Sequence, residues 1–216
     1  MTPTWPGGLD ADAWSADYVR AADRLAQAAK EGQWPAVFAL LDDQQLQLTA
    51  NQWRIGGSSL FTPLHQAAWW GAPAEVVAEL LRRGAWRALR TAAGDRAVDI
   101  ARGRGHDHLL GALDVADPAQ WDGRRFQAWD RQLAELIAER TEGLAPVAWR
   151  PVPTELIVAE ELESLWCPYP GMYGGFSLSV HRERLFVESW SRIAGGSGQA
   201  QVITERGRTL VDQGFV

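Results

Sequence analysis

Phe61-Thr62-Pro63-Leu64-His65-Gln66-Ala67-Ala68-Trp69-Trp70-Gly71, continued by APAEVVAELLRRGA through Ala85, decides how the first half of the chain is read. Thr62 is a good helix N-cap, and Pro63 follows it in the first turn, where a missing N–H leaves nothing unpaired. Ala67 and Ala68 are small enough to let a neighbouring helix approach closely. Val76, Val77, Leu80 and Leu81 recur at helical spacing and give a second helix one apolar face. Gly84 then supplies a left-handed stop. A lone pair of short helices cannot enclose its own apolar surface, so such a unit must stack on others.

The flanking sequence offers partners for that stack. Advancing Thr62 by 34 positions gives Arg96, at the head of RAVDIARGRGHDHLLGAL; Leu64 then falls on Val98, Ala67 on Ala101 and Gly71 on Gly105. Moving Gly71 back by 39 positions gives Gly32, in DRLAQAAKEGQWPAVFALLDD, where Leu25, Ala28 and Ala29 hold the small and apolar positions. The five extra residues fall in the connection QLQLTANQWRIGGSSLF, and lengthening a loop is thermodynamically mild. Residues 61–85 resemble the ankyrin repeat closely. The resemblance implies three repeats over about residues 21–115, with the outer two atypical, as terminal repeats are. Asp23 and Arg96 stand where the family has its capping Thr, and Asp99 stands in place of its His. The resemblance also implies that His65 hydrogen-bonds neighbouring backbone, and that first helices and loop tips form a concave binding face.

Composition narrows the function. The chain has 216 residues, enough for one large domain or two small ones. Hydrophobic residues make up 46% and charged residues 22%, which argues against disorder. The net charge of −6 disfavours a duplex nucleic-acid partner, although Arg82, Arg83, Arg87 and Arg90 form a local basic cluster. Cys167 is the one cysteine, so an internal disulfide is excluded. The first residues lack a basic stretch followed by an apolar one, and no run of about 18 apolar residues occurs. A cytoplasmic protein without a membrane anchor is expected. Lys30 is the only lysine, an arginine bias that points to a GC-rich bacterial genome. Tryptophan is abundant, with 12 residues, too many beside turns and polar runs for all to be buried.

The second half reads differently. Asp117-Pro118 offers a helix start, and Phe126, Trp129, Leu133, Leu136 and Ile137 follow a helical period, so a linking or capping helix is expected over 122–141 within 116–145. PVAWRPVP (146–153) is a Pro-rich connection and the expected boundary. TELIVAEELESLW (154–166) is ambiguous between strand and helix; a short helix is the reading adopted. FSLSV and RLFVESW alternate around His181-Arg182-Glu183, and QAQVIT and TLVDQGFV alternate around 205–208. Four antiparallel strands in two hairpins follow, joined by AGGSG. The expected fold is therefore mainly α with a β C-terminal part: an N-terminal arm (1–20), a three-repeat ankyrin stack (21–115), the linking helix, and a small antiparallel β (α+β) domain (146–216). PGMYGGF and ESWSRIAGGSGQ resemble a region of bacterial ankyrin-containing proteins for which no activity is established.

Candidate site residues follow from position. Trp69 and Trp70 end a first helix, Trp53 and Arg54 lie in the long connection, and Trp86, Arg87 and Arg90 follow Gly84; together they make an aromatic and arginine cluster suited to a protein or peptide. The competing reading is that Trp5, Trp14 or the C-terminal domain covers this surface. Tyr173, Glu188, Trp190 and Arg192 form a second candidate surface. His106-Asp107-His108 lacks a third ligand nearby in sequence, so no metal is expected. Gly195-Gly196-Ser197-Gly198 precedes a strand rather than a helix, which argues against a phosphate cradle. Cys167 with His181 and Glu183 or Glu188 is a catalytic set without any local signature. No cofactor, nucleic acid or membrane partner is expected. Three functions compete: a binding adaptor or regulator that is not an enzyme, an immunity or antitoxin-like protein whose acidity suits a basic toxin, and an enzyme with its site in the C-terminal domain.

Overall fold

A computed structural model describes residues 2–117, 119–191 and 197–214. The described chain is α+β, with its helices concentrated in the first two thirds and an antiparallel sheet near the C-terminus. It divides into two compact units, one of residues 9–115 and one joining 1–8 to 116–216.

The first unit contains α1 (Ala16–Lys30), α2 (Trp34–Asp42), α3 (Pro63–Trp70), α4 (Ala74–Arg82), α5 (Ala97–Gly103) and α6 (Leu110–Leu113). They follow one another as helix pairs, and α3 lies between α1 and α5. The apolar pattern explains the packing. α1 buries Ala21, Ala22, Leu25, Ala28 and Ala29 on one face, and α4 buries Val76, Val77 and Leu80. These side chains join Leu64, Ala67 and Ala68 of α3 and Val98, Ile100 and Ala101 of α5 in one continuous core. Truncating a buried leucine such as Leu80 in such a core costs about 2–5 kcal/mol.

The helix starts are fixed by side chains. Ser15 caps α1 by accepting the Tyr18 N–H at 3.3 Å. At α3, His65 Nδ1 lies 3.2 Å from the Thr62 N–H and 2.8 Å from its hydroxyl, while Nε2 lies 3.0 Å from the Leu89 carbonyl. A ring nitrogen facing a carbonyl must donate, and one facing an amide N–H must accept. His65 is thus the Nε2–H tautomer, tying α3 to the connection between α4 and α5. At α5 the corresponding residue is Asp99, whose carboxylate accepts the Arg96 N–H at 3.0 Å. The carboxylate accepts the N-cap amide as the imidazole does in α3, but it has no proton to donate to a later carbonyl, so it replaces only that half of the histidine's role.

Polar side chains stitch successive pairs together. Asn51 donates to the Gly84 carbonyl and accepts the Trp86 N–H, each at 2.8 Å. Gln52 accepts the Tyr18 hydroxyl at 2.8 Å and donates to the Trp53 carbonyl at 2.7 Å. Burial pushes the Tyr18 phenol up to about 12. Arg83 forks onto Asp42 at the end of α2 and onto Glu79 of α4, and Arg82 also binds Glu79.

The second unit contains α7 (Ala119–Thr141), α8 (Thr154–Ala159) and five strands: β1 (Leu165–Pro168), β2 (Gly175–His181), β3 (Arg184–Ser191), β4 (Ser197–Thr204) and β5 (Gly207–Gln213). The strands form one antiparallel meander in chain order. Leu178 of β2 pairs with Val187 of β3, which pairs with Gln201 of β4. Alternation puts Leu165, Cys167, Phe176, Leu178, Leu185, Val187, Ser189 and Ile203 on one buried face. α7 covers it with Phe126, Trp129, Leu133, Leu136 and Ile137, and Arg140 donates to the Ser189 hydroxyl at 3.1 Å. The N-terminus of α8 is capped from α7: Asp130 accepts the Thr154 N–H at 2.8 Å and its hydroxyl at 2.7 Å. Burial pushes the Asp130 carboxyl above its usual range despite those two bonds.

Several expectations need correction. A fifth strand, β1, occupies Leu165–Pro168, and its first two residues lie in the stretch 154–166 expected to be helical; within that stretch helix forms only over Thr154–Ala159. The compact units part near residue 115 rather than at 146–153, and α7 belongs with the sheet. Residues 1–20 are not a separate arm. Trp5 is fully buried in the second unit, its Nε1–H donating to the Arg150 carbonyl and its N–H to the Trp166 carbonyl, each at 2.7 Å. Trp14 packs instead on the helical core beside Tyr18. Among the described residues no helix is long and apolar enough to cross a membrane.

Candidate partner-binding groove

The last carbonyls of a helix have no intrahelical donor. At the end of α1 the Lys30 carbonyl is satisfied from outside: Trp70 Nε1–H donates to it at 2.8 Å. That bond fixes the Trp70 indole beside the end of α1, while the side chain remains 55% exposed. Trp69 is 40% exposed and is also held in place. The Phe61 ring meets it edge-on at 6.1 Å, and the Arg104 guanidinium stacks over its ring at 3.9 Å. The Trp69 carbonyl faces His106 Nε2 at 3.2 Å, which therefore donates.

These tryptophans border an open groove of about 450 Å³ between α1, α3 and the loop before α3. Its wall includes Lys30, Arg54, Leu60, Phe61, Gln66, Trp69 and Trp70, and none of the described lining residues is acidic. Arg54 lies along α1, donating to Gln27 at 3.0 Å with Asp23 at 3.4 Å. A second depression of about 400 Å³, lined by residues that include Arg24, Glu31, Gln33, Leu40 and Asp43, is of mixed charge and without an aromatic wall.

The expected cluster is therefore assembled only in part. Arg54, Trp69 and Trp70 come together. Trp53 and Trp86 do not: both are buried, because their connections fold inward and Asn51 and Gln52 lock those loops to the helices. Arg87 donates to the Asp114 carbonyl and Arg90 to the Gly94 carbonyl, so each binds its own neighbourhood, and neither lines this groove. Lys30, Phe61 and Arg104 were missed, although the signal was present. The 39-residue shift that superposes Gly71 on Gly32 also places Trp69 on Lys30, and the 34-residue shift places Trp70 on Arg104.

Elsewhere the candidate sets disperse. Glu188 and Trp190 share the outward face of β3, with the Trp190 ring stacked on Trp166 at 5.1 Å, whereas Tyr173 lies 80% exposed on the turn before β2. Arg192 lies outside the described residues, as do 195–196 of the glycine-rich stretch; Gly198 is already in β4. Cys167 faces the buried side of the sheet opposite Phe176, and burial pushes its thiol well up. His181 ends β2 five residues beyond Phe176, about 16 Å along the strand. Cys167, His181 and Glu183 therefore do not assemble as a nucleophile, base and orienter. His106 and His108 face backbone carbonyls of Trp69 and Ala72, each at 3.2 Å, and no metal-ligand cluster occurs among the described residues. No protein-family model matches the chain, and no curated protein matches it.

Proposed function

We propose that residues 21–115 form a three-repeat ankyrin stack and that the protein is an adaptor or regulator, gripping a protein or peptide partner at the groove beside Trp69 and Trp70. Support for the stack comes from the repeated helix pairs and from Gly32, Gly71 and Gly105, which superpose in sequence and have φ of 68°, 60° and 73°. The observation that carries the binding reading is the pair of adjacent exposed indoles, each already held by its own contacts. Aromatic side chains held rigid lose little entropy when a partner covers them, and tryptophan and arginine dominate binding energy at interfaces. The proposal is one of binding rather than catalysis. A cytoplasmic location belongs to it, and the single cysteine, a buried free thiol, suits a reducing compartment.

The overall charge of −6 supports a second reading, an immunity-type protein that blocks a basic toxin. The groove itself has the opposite charge, so that reading needs a different surface. The test is affinity capture from extracts of the source cells with wild type and with Trp69→Ala/Trp70→Ala, the variant's helicity being checked by circular dichroism. A protein recovered by the wild type and lost by the folded variant supports the groove. Equal recovery of every captured protein removes it.

A further inference from the structure

Resting on the groove reading, we infer that the occupant is an acidic, extended segment of a partner protein, with carboxylates set around an apolar side chain. The chain as a whole carries 27 acidic and 21 basic residues, yet the described groove wall contains two cations, Lys30 and Arg54, and no carboxylate. Arg104 adds a third positive group on the ring of Trp69. Arg54 is partly neutralised by Asp23, but Lys30 and Arg104 have no ion-pair partner among the described residues. A basic segment laid here would meet Lys30 and Arg104 as like charges without a counter-ion, whereas an acidic one supplies their missing partners. Between the cations the wall is apolar, with Leu60, Phe61, Trp69 and Trp70, and is suited to one aliphatic or aromatic side chain. Gln66, Ser58 and Ser59 can bond an extended backbone.

Single-stranded nucleic acid also combines negative charge with stacking on aromatic rings. The surroundings disfavour it. A phosphate chain needs cations along its whole track, and here Asp23 lies beside Arg54, while Glu31 follows Lys30 in the chain. The groove offers a short positive patch within an acidic molecule, which suits a segment of a few residues.

The experiment uses a phage-displayed library of random dodecapeptides selected on the full-length protein and counter-selected on Trp69→Ala/Trp70→Ala. The expected outcome is a set of Trp-dependent peptides with net negative charge and one large apolar residue. The best of them is then titrated into protein reductively methylated with ¹³C. Lys30 is the only lysine, so its dimethylamine resonance reports the groove directly, beside one signal from the N-terminal amine. That resonance shifts on binding, affinity falls with added salt, and Lys30→Glu weakens binding by about fivefold to tenfold, whereas Lys30→Arg retains it. Trp-dependent peptides that are neutral or basic would overturn the acidic assignment and leave the groove reading standing. An absence of Trp-dependent peptides would overturn both. A tighter shift of the Lys30 resonance by oligo(dT) or oligo(U) than by any selected peptide would replace the protein segment with single-stranded nucleic acid.

Discussion

Replacing Gly71 with alanine separates two effects that the structure places at one residue. Gly71 has φ of 60°, and a Cβ there would sit 2.5 Å from His106 Nδ1, 2.7 Å from Cε1 and 2.8 Å from Cγ. The left-handed backbone alone costs an alanine about 1 kcal/mol. The steric overlap adds to this, because the imidazole must leave and give up its bond to the Trp69 carbonyl, worth about 1 kcal/mol. Gly84 provides the internal control: its φ is 80°, but nothing lies within 4 Å of the place a Cβ would take. Gly84→Ala should therefore cost about 1 kcal/mol and Gly71→Ala about 2 kcal/mol, a difference of about 4–8 °C in melting temperature for a unit of this size. Urea unfolding of both variants, of His106→Ala and of the Gly71→Ala/His106→Ala double variant closes the cycle. With the ring absent, the second alanine should cost no more than at Gly84. Equal losses at Gly71 and Gly84, or no relief from removing His106, would refute the packing described for this corner.

The remaining predictions concern separate parts of the molecule. Hydrogen bonds from Arg82, and next from Arg83, lower the Glu79 carboxyl from its usual value to about 2. A depressed folded-state value contributes stability that is complete above about pH 4.5 and disappears as pH falls toward 2; thermal melts across that range should show the slope in wild type and a flatter one in Glu79→Gln. Asp130→Ala removes the cap of α8 and should destabilise the second unit by about 1–2 kcal/mol, seen as faster amide exchange over Thr154–Ala159. Cys167 is 1% exposed and its thiol is raised by burial, so it should resist an aromatic disulfide reagent in buffer and react at once in denaturant.

The legibility of the fold tracks how local each determinant is. Residues 61–85 contain cap, period and stop within a few turns of helix, so α3 and α4 could be read directly from them. α7 was legible for the same reason. β1 was not: Leu165–Pro168 is short, and its strand character depends on pairing with Gly175–Leu178, across the intervening turn. The groove was half legible. Trp69 and Trp70 follow from their place at a helix end, but Trp53 and Trp86 also sit beside turns and face inward, because bonds from Asn51 to Gly84 and Trp86 and from Tyr18 to Gln52, far apart in the chain, direct their loops.

By itself the sequence determined the helix pairs, their glycine stops, the alternation of the later strands and the presence of more tryptophan than the turns could hide. Each of these depends on neighbours within one turn or one hairpin. Tertiary structure decided which indoles stay in water, which cations gather beside them and to which unit the first residues belong. Those outcomes depend on side chains far apart in the chain competing for the same carbonyls and the same apolar space, and no local pattern encodes that competition.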